Sequence, residues 1–240
     1  MSKITNKQAI EDWSWVSMDE IEKYAEEGDF WKKNLLNSVL FGLLGNIEGK
    51  EILEVRCGSG YLCRLMAKQG AKVVGLEPAE SFYNYAVEEE KRLAQGVEYV
   101  QKDLSEMTEF ESNFDAVVAN MVFLDIPDYR PAMRNSIKAL KPGGDFIFSL
   151  AHPCFFSSMD WSKQPFVKID RYFDEYSEMG GTGRYFHRSL SDYINLVIEE
   201  GCVIKKFVEP RLSKELAEAH PDKARDYHVP GFLVVKGVKS

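Results

Sequence analysis

The residues best suited to bind a ligand lie between positions 51 and 77. In the stretch EILEVRCGSG (51–60), apolar residues end in a turn that contains Gly58 and Gly60, and a helical pattern follows at once. Glycines let a backbone approach a ligand closely, and the first turn of a helix offers free N–H groups. Glu77 ends the next apolar run, 17 residues after Gly60, where a carboxylate could accept hydrogen bonds from ribose hydroxyls. We therefore expect a nucleoside-containing ligand at a strand–turn–helix site.

Alternating strands and helices must position this turn. The strands after the first are predicted from apolar runs at 72–77, 97–103, 114–120 and 145–151. Helical patterns at 80–95 and 129–140 separate them, and the turn KPGG ends the second of these helices. An amphipathic helix at 35–44, stopped by Gly45, precedes the first strand and is expected to cover one face. This alternation favours an α/β fold with a doubly wound, mostly parallel sheet.

The pattern breaks after the fifth predicted strand. Residues 153–188 lack regular periodicity, and 9 of these 36 residues are aromatic, about twice the average of the chain. A long insertion of this kind is more often functional than accidental. A helix resumes at Leu190, and the runs CVIKKFVEP and GFLVVKGVK predict two last strands. Residues 1–33 are predicted to form a helical arm that either packs over the ligand site or covers the edge of the sheet.

The turn resembles the S-adenosylmethionine site of the class I methyltransferases. The pattern of that family is an acid, one residue, and then three glycines at alternate positions, and Glu54, Gly58 and Gly60 match it. The acidic end of the second strand and the KPGG turn strengthen the resemblance, which covers residues 35–238. It implies a Rossmann-like, seven-stranded sheet with an antiparallel last strand, in one domain over residues 1–240. It divides that domain into the arm (1–33), a cofactor-binding half (35–151), a substrate or lid insertion (152–188), and a C-terminal helix with strands (189–240).

One residue departs from the pattern of the family. Arg56 stands where the first glycine belongs, close to the methionine end of the cofactor in the family. Its side chain could crowd the site, or its guanidinium could pair with the cofactor carboxylate. The sequence therefore leaves two functions open: an active methyltransferase, or a methyltransferase-fold protein that binds its cofactor weakly or does not catalyse.

The resemblance implies a set of cofactor contacts. Glu54 is expected to hold the amino group or to cap the turn, Glu77 to bind the ribose, and Asp103 to flank adenine or to act as a helix N-cap. Asn120 and Met121 end the fourth strand, where ligands bind such sheets. The complete predicted set for S-adenosyl-L-methionine, with S-adenosyl-L-homocysteine as its product, is Glu54, Arg56, Cys57, Gly58, Gly60, Glu77, Pro78, Asp103, Leu104, Asn120 and Met121.

The substrate side is predicted from residues after the fifth strand. His152 could accept a proton from the substrate, form a hydrogen bond to it, or simply pack in the core. Aromatic and basic side chains of the insertion, Tyr172, Tyr176, Tyr185 and His187, are predicted to line a substrate pocket, and Arg188 and Arg211 are candidate anion contacts. The expected reaction is in-line transfer of the sulfonium methyl to a substrate oxygen, nitrogen or carbon.

Composition and missing motifs narrow the classes of substrate and partner. A net charge of −8 argues against non-specific nucleic-acid binding. The segment NMVFLDIPD lacks the Pro-Pro-aromatic motif of nucleic-acid amino-methyltransferases and the carboxylate cluster of metal-dependent O-methyltransferases, so we expect a small-molecule substrate and no metal. A nicotinamide oxidoreductase is disfavoured because Cys63 stands where the third glycine of its fingerprint belongs. No signal peptide, membrane span or paired-cysteine motif is predicted, and we expect a cytoplasmic protein without membrane partners.

Overall fold

The fold is built on a twisted α/β sheet, which the computed structural model describes over residues 4–106, 110–155, 165–180 and 183–240. Within these ranges the strands are β1 Glu51–Val55, β2 Lys72–Leu76, β3 Glu98–Val100, β4 Phe114–Asn120, β5 Leu140–Ala151, β6 Tyr176–Gly180, β7 Gly183–His187, β8 Cys202–Val208 and β9 Phe232–Lys239. Seven of them form one sheet in the order β3-β2-β1-β4-β5-β9-β8, in which β9 is antiparallel to both neighbours. The predicted fold class, including its antiparallel last strand, is confirmed.

Helices cover both faces of this sheet. They are α1 Asn6–Ser14, α2 Met18–Glu22, α3 Asn37–Leu44, α4 Tyr61–Ala67, α5 Glu80–Leu93, α6 Tyr129–Ala139, α7 Leu190–Glu199, α8 Lys214–Ala219 and α9 Arg225–His228. One apolar core packs α6 and α7 against the sheet, and a second packs α3 and α4 against the opposite face. Each fully buried apolar side chain contributes about 2 kcal/mol. Within the described ranges, no helix has both the length and the apolar character needed to cross a membrane.

The central strands bring the predicted ligand residues to one edge. Leu53 of β1 is paired with Val74 of β2 on one side and with Val117 of β4 on the other, and both pairings are parallel. Because parallel strands end at the same edge of a sheet, the turns after β1, β2 and β4 lie side by side. That edge carries the candidate site.

Three segments differ from the sequence-based expectations. Strand β5 begins at Leu140, so KPGG lies within it; the pairing with β4 shifts register between Phe114 and Ala116, which absorbs the glycines. Strand β3 is three residues long rather than the seven predicted. The aromatic insertion, for which no regular structure was expected, contains the antiparallel hairpin β6–β7, with Tyr176 opposite His187.

The N-terminal helices lie against the loops that follow the strands. Asn6 of α1 donates through Nδ2 to Asp128 O at 3.1 Å and to Ser105 Oγ at 3.3 Å. The ring of Trp13 meets Phe82 of α5 edge to face, with 6.0 Å between centroids. A Cβ on Gly183 would come within 2.2 Å of the Trp13 ring, so this ring also packs directly on β7. Helix α1 thus joins the elements after β2, β3 and β4 to the hairpin.

Candidate functional site

The glycine turn is held by the end of the neighbouring strand. Cys57 N donates to Leu76 O at 2.8 Å, which ties the turn to β2. The buried carboxylate of Glu77 accepts one bond from Gly58 N and one from Ala79 N, both 2.8 Å long. Burial raises the pKa of Glu77, and the charge of Arg56 together with these two amides opposes that rise. Each Glu77 oxygen keeps a lone pair for a further donor, such as a ribose hydroxyl.

Helix α4 starts at a position that only glycine fills without conflict. Gly60 is the N-cap of α4 and has φ +72°, and a Cβ there would lie 2.3 Å from Tyr99 Oη. Tyr99 in turn donates through its hydroxyl to Gly60 O at 3.3 Å. The ring of Tyr99 therefore sets how closely the turn can pack, and Gly60 leaves the first N–H groups of α4 uncovered by any side chain of its own.

Glu54 is a buried carboxyl group with an unsatisfied oxygen. Only 3% of the residue is exposed, and its Oε2 has no hydrogen-bond partner among the described residues. Burial raises the pKa of Glu54 to about 7, although a hydrogen bond from Cys63 and the charges of Arg64 and Lys32 oppose this effect. An orphaned buried oxygen needs a donor or a cation to offset its desolvation. The oxygen lies at the end of β1, beside the glycine turn, so a bound cationic group would satisfy it.

Two residues at this edge adopt left-handed backbone conformations. Arg56, at the end of β1, has φ +50°, and Met121, at the end of β4, has φ +62°. Such conformations cost a non-glycine residue about 1–2 kcal/mol and concentrate at functional sites. Both are therefore consistent with backbone shaped for a ligand rather than for stability alone.

Asn120 is fixed by side chains rather than left free. Its Nδ2 donates to Tyr61 Oη at 2.9 Å, and its Oδ1 accepts from Ser149 Oγ at 2.7 Å. Ser149 Oγ also accepts from Met121 N at 2.9 Å. The network holds the strained turn after β4 in place. One Nδ2 hydrogen of Asn120 remains available to a ligand.

Asp103 has the contacts of a cap. Its two carboxylate oxygens accept from Ser105 N at 3.1 Å and from Ser105 Oγ at 2.6 Å, at the start of a 3₁₀ turn over Leu104–Glu106. Of the two roles considered for Asp103, the structure supports the N-cap. Leu104 is buried in the core and Pro78 directly follows Glu77, so both lie at the edge of the site without polar contacts of their own.

Asp125 is a site residue that the sequence analysis missed. It ends the 3₁₀ turn Phe123–Asp125 that follows β4, and its carbonyl oxygen lies 3.5 Å from Arg56 Nη1. Burial raises the pKa of its carboxyl group to about 7, and Arg56 and Lys32 oppose this rise through their charges. The carboxyl also acts electrostatically on the hydroxyl of Tyr193. Asp125 thus lies beside Arg56 of the cofactor turn, and its charge reaches Tyr193, which lines the cleft described next. Its signal in the sequence, an acid shortly after a strand end, is too common to single it out.

The predicted substrate residues mostly converge on one cleft. It is open to solvent and is lined by Leu124, Ala151, His152, Pro153, Tyr176, Tyr185, Phe186, His187, Arg188 and Tyr193. Tyr176 stacks on His187 with 4.7 Å between ring centroids. Tyr172 does not line the cleft. Its carbonyl accepts from His187 Nε2 at 2.9 Å and its hydroxyl accepts from Leu190 N at 2.9 Å, so it braces the hairpin.

The two candidate anion contacts have other partners. Arg188 is buried and donates to the carbonyls of Phe123, Ile126 and Pro127 at 2.6 to 3.1 Å, which binds the loop after β4 to the hairpin. Arg211 donates to Tyr227 O at 2.8 Å, far along the chain from the cleft residues. Arg188 lines the cleft and Arg211 does not, and carbonyl groups already accept from both, so their role as anion contacts stays a prediction.

His152 is not placed to act as a base. Its Nε2 lies 3.1 Å from Glu209 Oε1, its Nδ1 accepts from Cys154 N at 3.2 Å, and its ring stacks on Phe155. These partners fix the neutral tautomer with the proton on Nε2, so no lone pair is left for a substrate proton. Burial lowers the pKa of His152, against the influence of Glu209, which further favours the neutral ring. The structure supports the packing role that was the alternative to catalysis.

The site and fold together define a Rossmann-like protein with a nucleotide-binding turn, and known proteins share this arrangement. Residues 53–148 match the family model described as a methyltransferase domain. The ubiquinone biosynthesis O-methyltransferase of Escherichia coli is 32% identical over 132 residues, which cover 51% of this chain and 53% of that protein. The S-adenosylmethionine-dependent methyltransferase of Mesorhizobium loti superposes with a TM-score of 0.73 at 25% identity, covering 84% of this chain and 96% of that one.

The chain contains a methyltransferase domain over residues 53–148, and its fold is that of the class I S-adenosylmethionine-dependent methyltransferases. Magnesium protoporphyrin IX methyltransferase from Synechocystis, solved with bound S-adenosylmethionine, shares the fold over 100% of both chains with a TM-score of 0.65 and 16% identity. The chain spans about half the length of the curated Escherichia coli relative. S-adenosylmethionine is the cofactor of these methyltransferases, and the orphaned oxygen of Glu54 fits its ammonium group.

Proposed function

We propose that this protein transfers a methyl group from S-adenosylmethionine to a small, flat substrate held in the aromatic cleft. The observation that carries the proposal is Glu54, whose buried and unpartnered oxygen lies at the end of β1 beside the glycine turn. A carboxyl group without a donor is unfavourable in this position unless a ligand supplies one. The ammonium of the cofactor supplies that donor, and Glu77 is placed for its ribose hydroxyls.

The chemistry asks little of the protein beyond alignment and exclusion of water. When bound, the cofactor supplies an activated sulfonium methyl group. The residues of the chain hold the nucleophile in line with that methyl group and close the site. Tyr176 and Tyr185 offer ring faces that suit a flat substrate, and Trp13 bridges the hairpin to α5 over the mouth of the cofactor turn.

A hydroxyl nucleophile must lose its proton, and we assign this step to Asp125. Its carboxyl has a pKa of about 7, and its charge acts on the hydroxyl of Tyr193, which lines the cleft. A base with this pKa is effective near neutral pH. We favour oxygen as the methylated atom over nitrogen or carbon, because the curated relatives are named O-methyltransferases. Their substrate is a property of those proteins, and we extend only the class, a ring hydroxyl, to this chain.

The proposal is tested in two stages. S-adenosylhomocysteine is first titrated into the protein by calorimetry, and micromolar binding is expected. The protein is then incubated with methyl-labelled S-adenosylmethionine and a panel of catechols and hydroxybenzoates, and label in the organic product is measured. Absence of binding would refute the proposal. Binding without transfer to any small molecule would instead support the alternative of a non-catalytic methyltransferase-fold protein.

A further inference from the structure

Arg56 occupies a position at which the backbone conformation favours glycine. Its φ of +50° lies in the left-handed region, which is unfavourable for every residue with a side chain relative to glycine. Strain of this kind persists where the side chain contributes something that glycine lacks. In Arg56 that contribution is a guanidinium group at the end of the central strand.

The guanidinium of Arg56 has donors to spare. Among the described residues its one side-chain hydrogen bond joins Nη1 to Asp125 O, and at 3.5 Å this bond is weak. No ion pair within 4.0 Å involves Arg56 in the described part of the chain. A guanidinium carries five N–H donors in a planar fork that matches a carboxylate. The residue is half-buried, and its guanidinium lies beside the 3₁₀ turn after β4, at the edge of the sheet that carries the site.

Two acidic residues feel the charge of Arg56 without binding it. Burial raises the pKa of both Glu77 and Asp125, and the charge of Arg56 opposes each rise. The oxygens of Glu77, however, accept from the amides of Gly58 and Ala79, and Asp125 meets Arg56 through its carbonyl rather than its carboxylate. Neither carboxylate therefore accepts a hydrogen bond from the guanidinium of Arg56.

Glu54 provides the complementary charge two residues earlier. It is 3% exposed and its Oε2 lacks a partner among the described residues. One turn thus presents an orphaned carboxyl oxygen and an under-used guanidinium. An α-amino acid group carries an ammonium and a carboxylate on one carbon and would satisfy both.

We propose that Arg56 binds the carboxylate of the methionine moiety and makes this site selective for nucleosides that keep their amino-acid group. The inference rests on the proposed function, because it assigns a contact within the same cofactor site. The other reading of Arg56, an obstruction that excludes the cofactor, predicts the opposite effect of removing the side chain.

The test compares two ligands that differ in this group. S-adenosylhomocysteine carries the amino-acid moiety, whereas 5′-methylthioadenosine has the adenosine and the thioether without it. Both are titrated by calorimetry into the unaltered protein and into Arg56→Met. The control Arg134→Met removes the same charge from an exposed position on α6, where Arg134 pairs with Glu200.

The expected result is a selective loss. Charge-assisted bonds to a carboxylate correspond to a change of about 10- to 100-fold in affinity. Arg56→Met should weaken S-adenosylhomocysteine by that factor, change 5′-methylthioadenosine by less than about threefold, and leave the control unaffected. An equal loss of affinity for both ligands in Arg56→Met would show that Arg56 only supports Glu77. Tighter binding of S-adenosylhomocysteine by Arg56→Met would show that Arg56 obstructs the site. Either result overturns the role inferred for Arg56 but leaves the proposed function standing. If the unaltered protein binds neither ligand, the proposed function itself fails.

Discussion

Protonation of Glu54 should control how tightly the cofactor product binds. Burial places the pKa of this carboxyl group at about 7, and the ammonium of the ligand requires the ionised form. The apparent dissociation constant then scales as one plus the ratio of proton concentration to the acid constant. That factor is about 11 at pH 6 and about 1.1 at pH 8, so S-adenosylhomocysteine should bind about tenfold more tightly at the higher pH.

The groups that face Glu54 set the background of this titration. Cys63 and Arg64 of α4 and Lys32 before α3 all stabilise the ionised form. The pKa of Cys63 is raised well above its usual value by burial, so the thiol does not ionise in this range. Asp125 titrates near the same pH but at the end of β4, and it must be tested separately.

Calorimetry measures the effect directly. Titrations of S-adenosylhomocysteine at pH 6, 7 and 8, each in two buffers of different ionisation enthalpy, give both the affinity and the protons released. About half a proton should be released at pH 7, since about half of Glu54 is protonated there. Glu54→Gln should abolish the release, while Asp125→Asn should preserve it. An affinity that stays constant within twofold from pH 6 to pH 8 would refute the reasoning.

Three further substitutions test other parts of the site. Gly60→Ala should weaken the binding of S-adenosylhomocysteine by about tenfold or more, because the new Cβ would lie 2.3 Å from Tyr99 Oη. The control Gly45→Ala also has a positive φ, but its Cβ would meet open space, so the affinity should not change. Equal effects of the two substitutions would contradict the steric argument. Arg188→Met should lower the free energy of unfolding by about 3 kcal/mol in urea titrations, because three buried carbonyls lose a charged donor; a loss below about 1 kcal/mol would count against this. Asp125→Asn should slow methyl transfer to the best hydroxylated substrate by about tenfold or more, and it should remove a rise in rate centred near pH 7. The affinity for S-adenosylhomocysteine at pH 8 should be retained. An unchanged pH profile of the rate would exclude Asp125 as the base.

The cofactor half was predictable because its signals are local. The glycine turn, the acid after β2 and the alternation of strands and helices all lie within short stretches of sequence, and their spacing dictates a parallel sheet. The hairpin β6–β7 was missed because its strands, in which Tyr176 pairs with His187, carry no alternating apolar pattern.

The roles of single side chains depended on distant partners. His152 follows the fifth strand, as expected, yet Glu209 lies 57 residues later and occupies one ring nitrogen. The backbone amide of Cys154 occupies the other. Asp125 is recognised as a site residue only because its carbonyl oxygen contacts Arg56, which lies 69 residues earlier in the chain. Such contacts come from tertiary packing, and no spacing rule along the chain reveals them.

The hydrogen bonds of Arg188 affect how the substrate preference of the protein could change during evolution. Arg188 donates to backbone carbonyl oxygens of the loop after β4, which every amino acid provides, and not to side chains of that loop. The side chain of Leu124, which lines the cleft, can therefore vary without loosening the joint between the two halves of the site. New specificities could arise by exchanging residues in the loop and the hairpin while this one arginine and the cofactor turn are inherited unchanged. Libraries randomised at Leu124 and Tyr185 should accordingly retain folded, product-binding members at a much higher frequency than libraries randomised at Arg188.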